Sequence, residues 1–229
     1  MKLLAFDTST QWLTVACANG TQWVERAELA GQAHSQRLLP LVDEVLGEAQ
    51  LALGDLDGLA FGAGPGSFTG VRIACGVAQG LGLGAGLHLV PVSTLEALAE
   101  SAWQSHGWTR VVACLDARMR EVYVAGYRRE DSRWVVERNA AVLRPDDIAG
   151  DSRASNGAGD GFAAYPDLAS RLALEAVDAA VIPSARAIAA LAIPRVAAGE
   201  TVRAADALPL YVRHRVALTT AEREGGMRL

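Results

Sequence analysis

Two stretches of this chain begin alike. Residues 2–6, 12–18 and 21–29 read as three consecutive strands, and residues 110–116, 121–128 and 134–143 read as three more. Asn19-Gly20 stands between two apolar runs in the first set, which is the strongest short hairpin signal. The first triplet gives way to alternation: a helical pattern at 34–50, a strand at 58–62, a helix from Phe68 to Ala85, a strand at 87–92 and a helix to about Ser105. Strands that alternate with amphipathic helices bury their faces as an α/β layer structure. The return of a strand triplet at Arg110 predicts a duplicated core, with the boundary near residues 104–109. No residue-level repeat accompanies it, so the duplication rests on element order. At 229 residues and 51% hydrophobic content the chain can support two lobes.

Local signals refine the pattern. Leu38, Leu39, Leu41, Val42, Val45, Leu46 and Ala49 fall on one helical arc of about 160°, and Pro40 should kink that helix or mark its first turn. Ser93-Thr94-Leu95-Glu96 matches a capping box. Residues 150–161 are small, polar and glycine-rich and read as a loop. Ser184 caps a helix over 185–193 that stops before Pro194. Residues 208–213 read as a last strand, and 219–229 as a frayed end.

Charge and cysteine usage narrow the classes. The formal charge of −5 gives no broad basic surface for gripping nucleic acid unaided. Cys17, Cys75 and Cys114 are far apart in sequence and read as reduced, buried thiols of a cytoplasmic protein. The apolar run at the N-terminus is too short for a signal peptide. The stretch 73–92 carries Gln79, His88 and Pro91 and is rejected as a membrane span.

The most informative segment is Gly62-Ala63-Gly64-Pro65-Gly66-Ser67-Phe68-Thr69-Gly70-Val71-Arg72, between a strand and a helix. Backbone N–H groups at such a helix start can hold an anion; a tight turn without a ligand is the other reading. The segment lacks the lysine of a P-loop and the third glycine of a dinucleotide turn. In the helix that follows, Gly76, Gly80 and Gly84 recur every four residues on one face. Each mid-helix glycine costs about 1 kcal/mol against alanine. Close approach of another helix compensates such a cost, either from within the same lobe or from a partner protein.

Gly64-Pro65-Gly66-Ser67-Phe68-Thr69-Gly70-Val71-Arg72-Ile73 resembles the GPGSFTGVRI(G) signature of the TsaB (YeaZ) family, with Ala74 in place of the final glycine. Four further pieces agree with it in order. They are Asp7-Thr8-Ser9-Thr10, His34-Ser35-Gln36-Arg37-Leu38-Leu39-Pro40, Asp116-Ala117-Arg118-Met119 with Glu121-Val122-Tyr123, and Pro209-Leu210-Tyr211-Val212-Arg213. The resemblance implies a two-lobed α/β fold of the actin/Hsp70/sugar-kinase group. The lobes would be residues 1–106, which bind the partner, and 107–229.

In that fold group nucleotide phosphates rest on glycine hairpins from both lobes. Here the first hairpin, after Asp7, has no glycine until Gly20. Ala117, Arg118, Met119 and Arg120 occupy the second, so close backbone approach to a phosphate is blocked. Asp7 and Asp116 stand where magnesium or phosphate carboxylates would be; capping of strand ends is an equal reading. The metal histidines of the family's catalytic paralogue, TsaD, are replaced by Thr94 and Leu98, neither of which is an imidazole ligand. No catalytic set, metal site or cofactor of the chain's own is therefore expected. A nucleotide, where one binds, would sit at the subunit junction.

The resemblance implies a dimerisation and activating subunit for TsaD in forming N6-threonylcarbamoyladenosine on tRNA. TsaE, an ATPase, would join, and the isolated chain would pair with itself. tRNA would be met only through the complex. Contact would run through the two helices of the first lobe, at His34, Leu38, Leu41, Val45, Arg72, Gly76, Gly80 and Gly84. The rival readings are an actin-fold ATPase or kinase and an M22-type glycoprotease. The first needs the missing phosphate glycines. The second needs a metal or nucleophile that these residues do not supply.

Overall fold

The computed structural model describes residues 1–150 and 155–212. The first five-stranded sheet contains β1 (Lys2–Asp7), β2 (Trp12–Asn19), β3 (Gln22–Leu29), β4 (Gly58–Gly64) and β5 (Leu89–Ser93) in the order β3-β2-β1-β4-β5. β1, β2 and β3 pair antiparallel, and β1, β4 and β5 pair parallel. The second sheet contains β6 (Arg110–Asp116), β7 (Val122–Glu130), β8 (Arg133–Leu143), β9 (Asn156–Ala158) and β10 (Val177–Asp178). Its order, β8-β7-β6-β9-β10, repeats the first with the same strand directions. The duplication is therefore one of topology, as the element order predicts.

The helices are α1 (His34–Glu48), α2 (Phe68–Ala85), α3 (Thr94–His106), α4 (Gly161–Ala164), α5 (Asp167–Arg171) and α6 (Ala185–Ala197). The period of two along β1 shows how the first sheet is covered. Leu4 and Phe6 join one cluster with Leu38, Leu41 and Val45 of α1 and Ala74 and Ala78 of α2. Leu3 and Ala5 point the other way, into a cluster with Ala185, Ile188 and Ala192 of α6. With both faces covered, β1 is buried from Leu3 to Asp7. Each leucine so buried contributes roughly 1.5–3 kcal/mol relative to exposure. α3 lies between the lobes: Leu95, Leu98 and Ala102 pack with Val111, Ala113 and Tyr123 of the second sheet.

Four expectations need correction. The division at residue 106 follows chain order but not packing, because α6 comes late in the chain and covers the first sheet. α6 also runs through Pro194 to Ala197 instead of stopping before it. Ala190, whose carbonyl loses its donor there, is half-exposed, so water can replace the missing bond. Pro40 likewise sits on the solvent side within α1. Residues 150–161 are not all loop: Asn156–Ala158 pairs with β6, where sheet pairing overrides weak strand propensity. Residues 208–212 form no strand and instead make a single strap, tied by the Leu210 N–H to the Ala63 carbonyl at 2.7 Å. Arg213 and residues 219–229 lie outside the described residues.

Candidate functional site

The two motifs of the first lobe are built for each other. β1 ends at Asp7, and the following turn lies directly on the glycine loop between β4 and α2. The Ser67 N–H donates to the Ser9 carbonyl at 2.7 Å. The Thr8 hydroxyl donates to the Gly70 carbonyl at 2.7 Å. A Cβ on Gly66 would run into Ser9, and one on Gly70 into the Thr8 carbonyl. These glycines thus permit close approach of the protein's own chain. Ser67 caps α2, its Oγ accepting from the Gly70 N–H. Gly64 adopts a left-handed backbone (φ 103°) beneath the Leu210 carbonyl.

Asp7, Thr8 and Ser9 are at most 2% exposed. Asp7 Oδ1 accepts from the Ser9 N–H at 2.9 Å and the Ser9 hydroxyl at 2.7 Å. Its Oδ2 is buried without a hydrogen-bond partner among the described residues. Burial lifts the Asp7 carboxyl to about 6, against the two bonds from Ser9, which pull it down.

A cleft of about 790 Å³ separates this corner from the second lobe, lined by Ser9, Gln32, Pro65, Asp116, Arg118 and Asp160 among others. The Asp116 N–H donates to Asp160 Oδ1 at 2.9 Å, and Arg118 pairs with Asp116 at 3.4 Å. Burial raises the Asp160 carboxyl. Arg118, Met119 and Arg120 all have positive φ (61°, 53° and 63°). The turn thus keeps a backbone that glycine takes freely, but it carries large exposed side chains. The β1–β2 turn has no glycine, and its Thr8 and Ser9 face the lobe's own loop. These residues do not fit a pair of phosphate-holding hairpins. No cluster of three or more His, Cys, Asp or Glu suited to a metal occurs among the described residues.

Sequence reasoning missed the counterpart loop at Gly157-Ala158-Gly159-Asp160-Gly161. There a Cβ on Gly159 or Gly161 would run into Cys114 of β6. The signal was present, because this stretch mirrors the strand–glycine turn at 62–66.

The residues expected at a partner interface divide. Leu38, Leu41 and Val45 are at most 1% exposed and His34 is 5% exposed. The leucines and valine fill the first lobe's core, and His34 Nε2 faces the Trp12 carbonyl at 3.4 Å. These four side chains are not offered to a partner, since the apolar arc of α1 is consumed by its own sheet. Gly76, Gly80 and Gly84 are exposed, and a Cβ on any of them would meet nothing within 4 Å. Arg72 is exposed as well, its guanidinium 3.2 Å from the Phe68 ring centroid and 5.2 Å from that of Tyr211. Gln79, further along α2, donates to the Ala207 carbonyl at 2.9 Å and holds the strap. Large apolar side chains are exposed on these elements: Phe68 and Leu83 on α2, Leu39 on α1, and Leu208, Leu210 and Tyr211 on the strap.

A sequence model of the TsaD family, tRNA N6-adenosine threonylcarbamoyltransferase, matches residues 26–209. The Escherichia coli (strain K12) tRNA threonylcarbamoyladenosine biosynthesis protein TsaB is 42% identical over 223 residues, 95% of this chain and 96% of that protein. The chain belongs to the TsaB family, within the TsaD-like group. The TsaB protein of Haemophilus influenzae is 38% identical over 94% of this chain and 95% of its own length. The solved structure of YeaZ from Pseudomonas aeruginosa superposes with a TM-score of 0.86 at 40% identity, covering 92% of this chain and 99% of that one. The glycine loop, the Asp7 turn and the open face of α2 are thus features of a TsaB-family chain. No helix among the described residues is long and apolar enough to cross a membrane.

Proposed function

We propose that this chain is a non-catalytic dimerisation and activating subunit. It acts in the cytoplasm with TsaD, the catalytic subunit, and TsaE, an ATPase. The assembly transfers threonylcarbamoyl from threonylcarbamoyl-AMP to N6 of adenosine 37 in tRNAs that read codons beginning with A. One observation carries the reading: the bare face of α2, where Gly76, Gly80 and Gly84 leave open space amid exposed Phe68, Leu83 and Leu39. Large apolar side chains left exposed suit a docking site, and a glycine row lets a second helix come close. The same face would serve self-pairing when TsaD is absent. A nucleotide in the assembly belongs at the subunit junction, since the chain's own turns lack a phosphate cradle.

The test is reconstitution with the host's TsaD, TsaE and unmodified tRNA. The chain should co-elute with TsaD, and modification should require it while the chain alone turns over no ATP. Full modification by TsaD and TsaE without this chain would overturn the reading.

A further inference from the structure

A larger cavity, about 1110 Å³, opens away from both the cleft and α2. α3 and α6 form its floor, and α6 covers the face of the first sheet opposite to α1 and α2. Its walls are Trp23 of β3 and the β7–β8 hairpin with Arg129, Arg133 and Trp134. A partner seated on α2 therefore leaves this groove open.

Two guanidinium–indole stacks line it. The Arg129 guanidinium lies 3.6 Å from the Trp103 ring centroid, and that of Arg186 lies 5.0 Å from Trp23. Arg129 is held in place by buried Glu100, whose Oε2 accepts from Arg129 at 2.5 Å and from Trp134 Nε1 at 2.8 Å. Arg195 pairs with Glu96 at 2.5 Å. Those two pairs cancel in charge. Arg133 and Arg186 are both exposed; Arg133 makes no ion pair among the described residues, and Arg186 faces Glu25 from α6. Glu200 is the remaining acid of the lining. The groove thus joins flat π faces to guanidinium donors, the combination that stacks a base and holds its phosphate.

We propose that this groove is an RNA contact that takes an unpaired nucleotide of the tRNA, its base on the indole–guanidinium faces and its phosphate at Arg133 and Arg186. The proposal rests on the subunit reading above for its choice of RNA. An acidic peptide would use the guanidinium groups but leave the indole faces unused, so the stacks favour the nucleotide. The site is compatible with weak binding by the isolated chain, because the chain carries a net charge of −5.

The experiment titrates the full-length chain with unmodified host tRNA at low salt, read by tryptophan fluorescence and filter binding. Arg133→Ala/Arg186→Ala should weaken binding at least tenfold and reduce the slope of log affinity against log salt by about 2. Trp23→Ala should weaken binding with the slope unchanged. Binding of the double variant to TsaD should equal wild type, which separates this proposal from the subunit reading. Unchanged tRNA affinity in the double variant would overturn the proposal. So would competition by poly-glutamate equal to that of tRNA, which would mark a peptide site. Competition by AMP at the concentration effective for tRNA would mark a free-nucleotide site and also overturn it.

Discussion

Gly62 gives its side-chain space to the carboxylate of Asp7: a Cβ there would overlap Asp7 Oδ2 and stand 2.8 Å from Asp7 Cγ. β1 and β4 run side by side at this point, so the family's opening aspartate and its glycine segment form one packed unit. Gly62→Ala should therefore destabilise the fold by roughly 1–3 kcal/mol through overpacking. In an Asp7→Ala background the same substitution should cost much less, because the obstructing group is gone. Urea denaturation of the four proteins in this cycle measures the coupling. Equal costs in both backgrounds would show that the two residues do not share the space.

Asp7 also sets a pH dependence. Its folded value of about 6 lies above the ordinary 3.8, so the fold favours the protonated form. That contribution is complete below about 3.8 and is lost as pH rises through about 6, a difference of roughly 3 kcal/mol. Asp7→Asn keeps an oxygen to accept the two bonds from Ser9 and removes the buried charge. The variant should melt higher than wild type at pH 8, and the gap should shrink to about a third by pH 4.5 and close only below about pH 3.5. A gap that is constant with pH would mean Asp7 titrates at an ordinary value.

The β6–β7 turn stores strain in three successive left-handed residues, at about 1–2 kcal/mol for each non-glycine residue. Met119 is exposed in the middle of it. Met119→Gly should stabilise the chain by about 1 kcal/mol, less the entropy glycine adds to the unfolded state. Chemical denaturation checks the sign. A loss of stability would mean that contacts of the Met119 side chain outweigh the strain.

Much of this molecule was legible in the chain. The strand triplets, the Asn19-Gly20 hairpin and the Ser93 cap carry local signals that the fold obeys, whereas the glycine row of α2 left open whether its own lobe or a partner would cover it. What escaped detection depends on tertiary contact. Leu38, Leu41 and Val45 form a helical stripe whose periodicity says only that one face is covered, and cannot tell a lobe's own sheet from a partner. β9 is three small residues held by its neighbour, and α6 returns to the first sheet from the far end of the sequence. Nor could spacing place Trp23, Trp103 and Arg129 around one groove, since they come from three separate elements.

The central claim is that the bare face of α2 receives TsaD, and Gly80 lies at its middle. At Gly80→Leu the new Cβ meets nothing within 4 Å in its own lobe, and leucine is the better helix former by up to about 1 kcal/mol. Titration calorimetry of wild type and Gly80→Leu against TsaD, with melting curves of both, tests the claim in one comparison. At a concentration where both proteins are monomeric, the account predicts a variant that melts at or slightly above wild type and binds TsaD at least tenfold more weakly. A variant that binds TsaD as wild type does would contradict it.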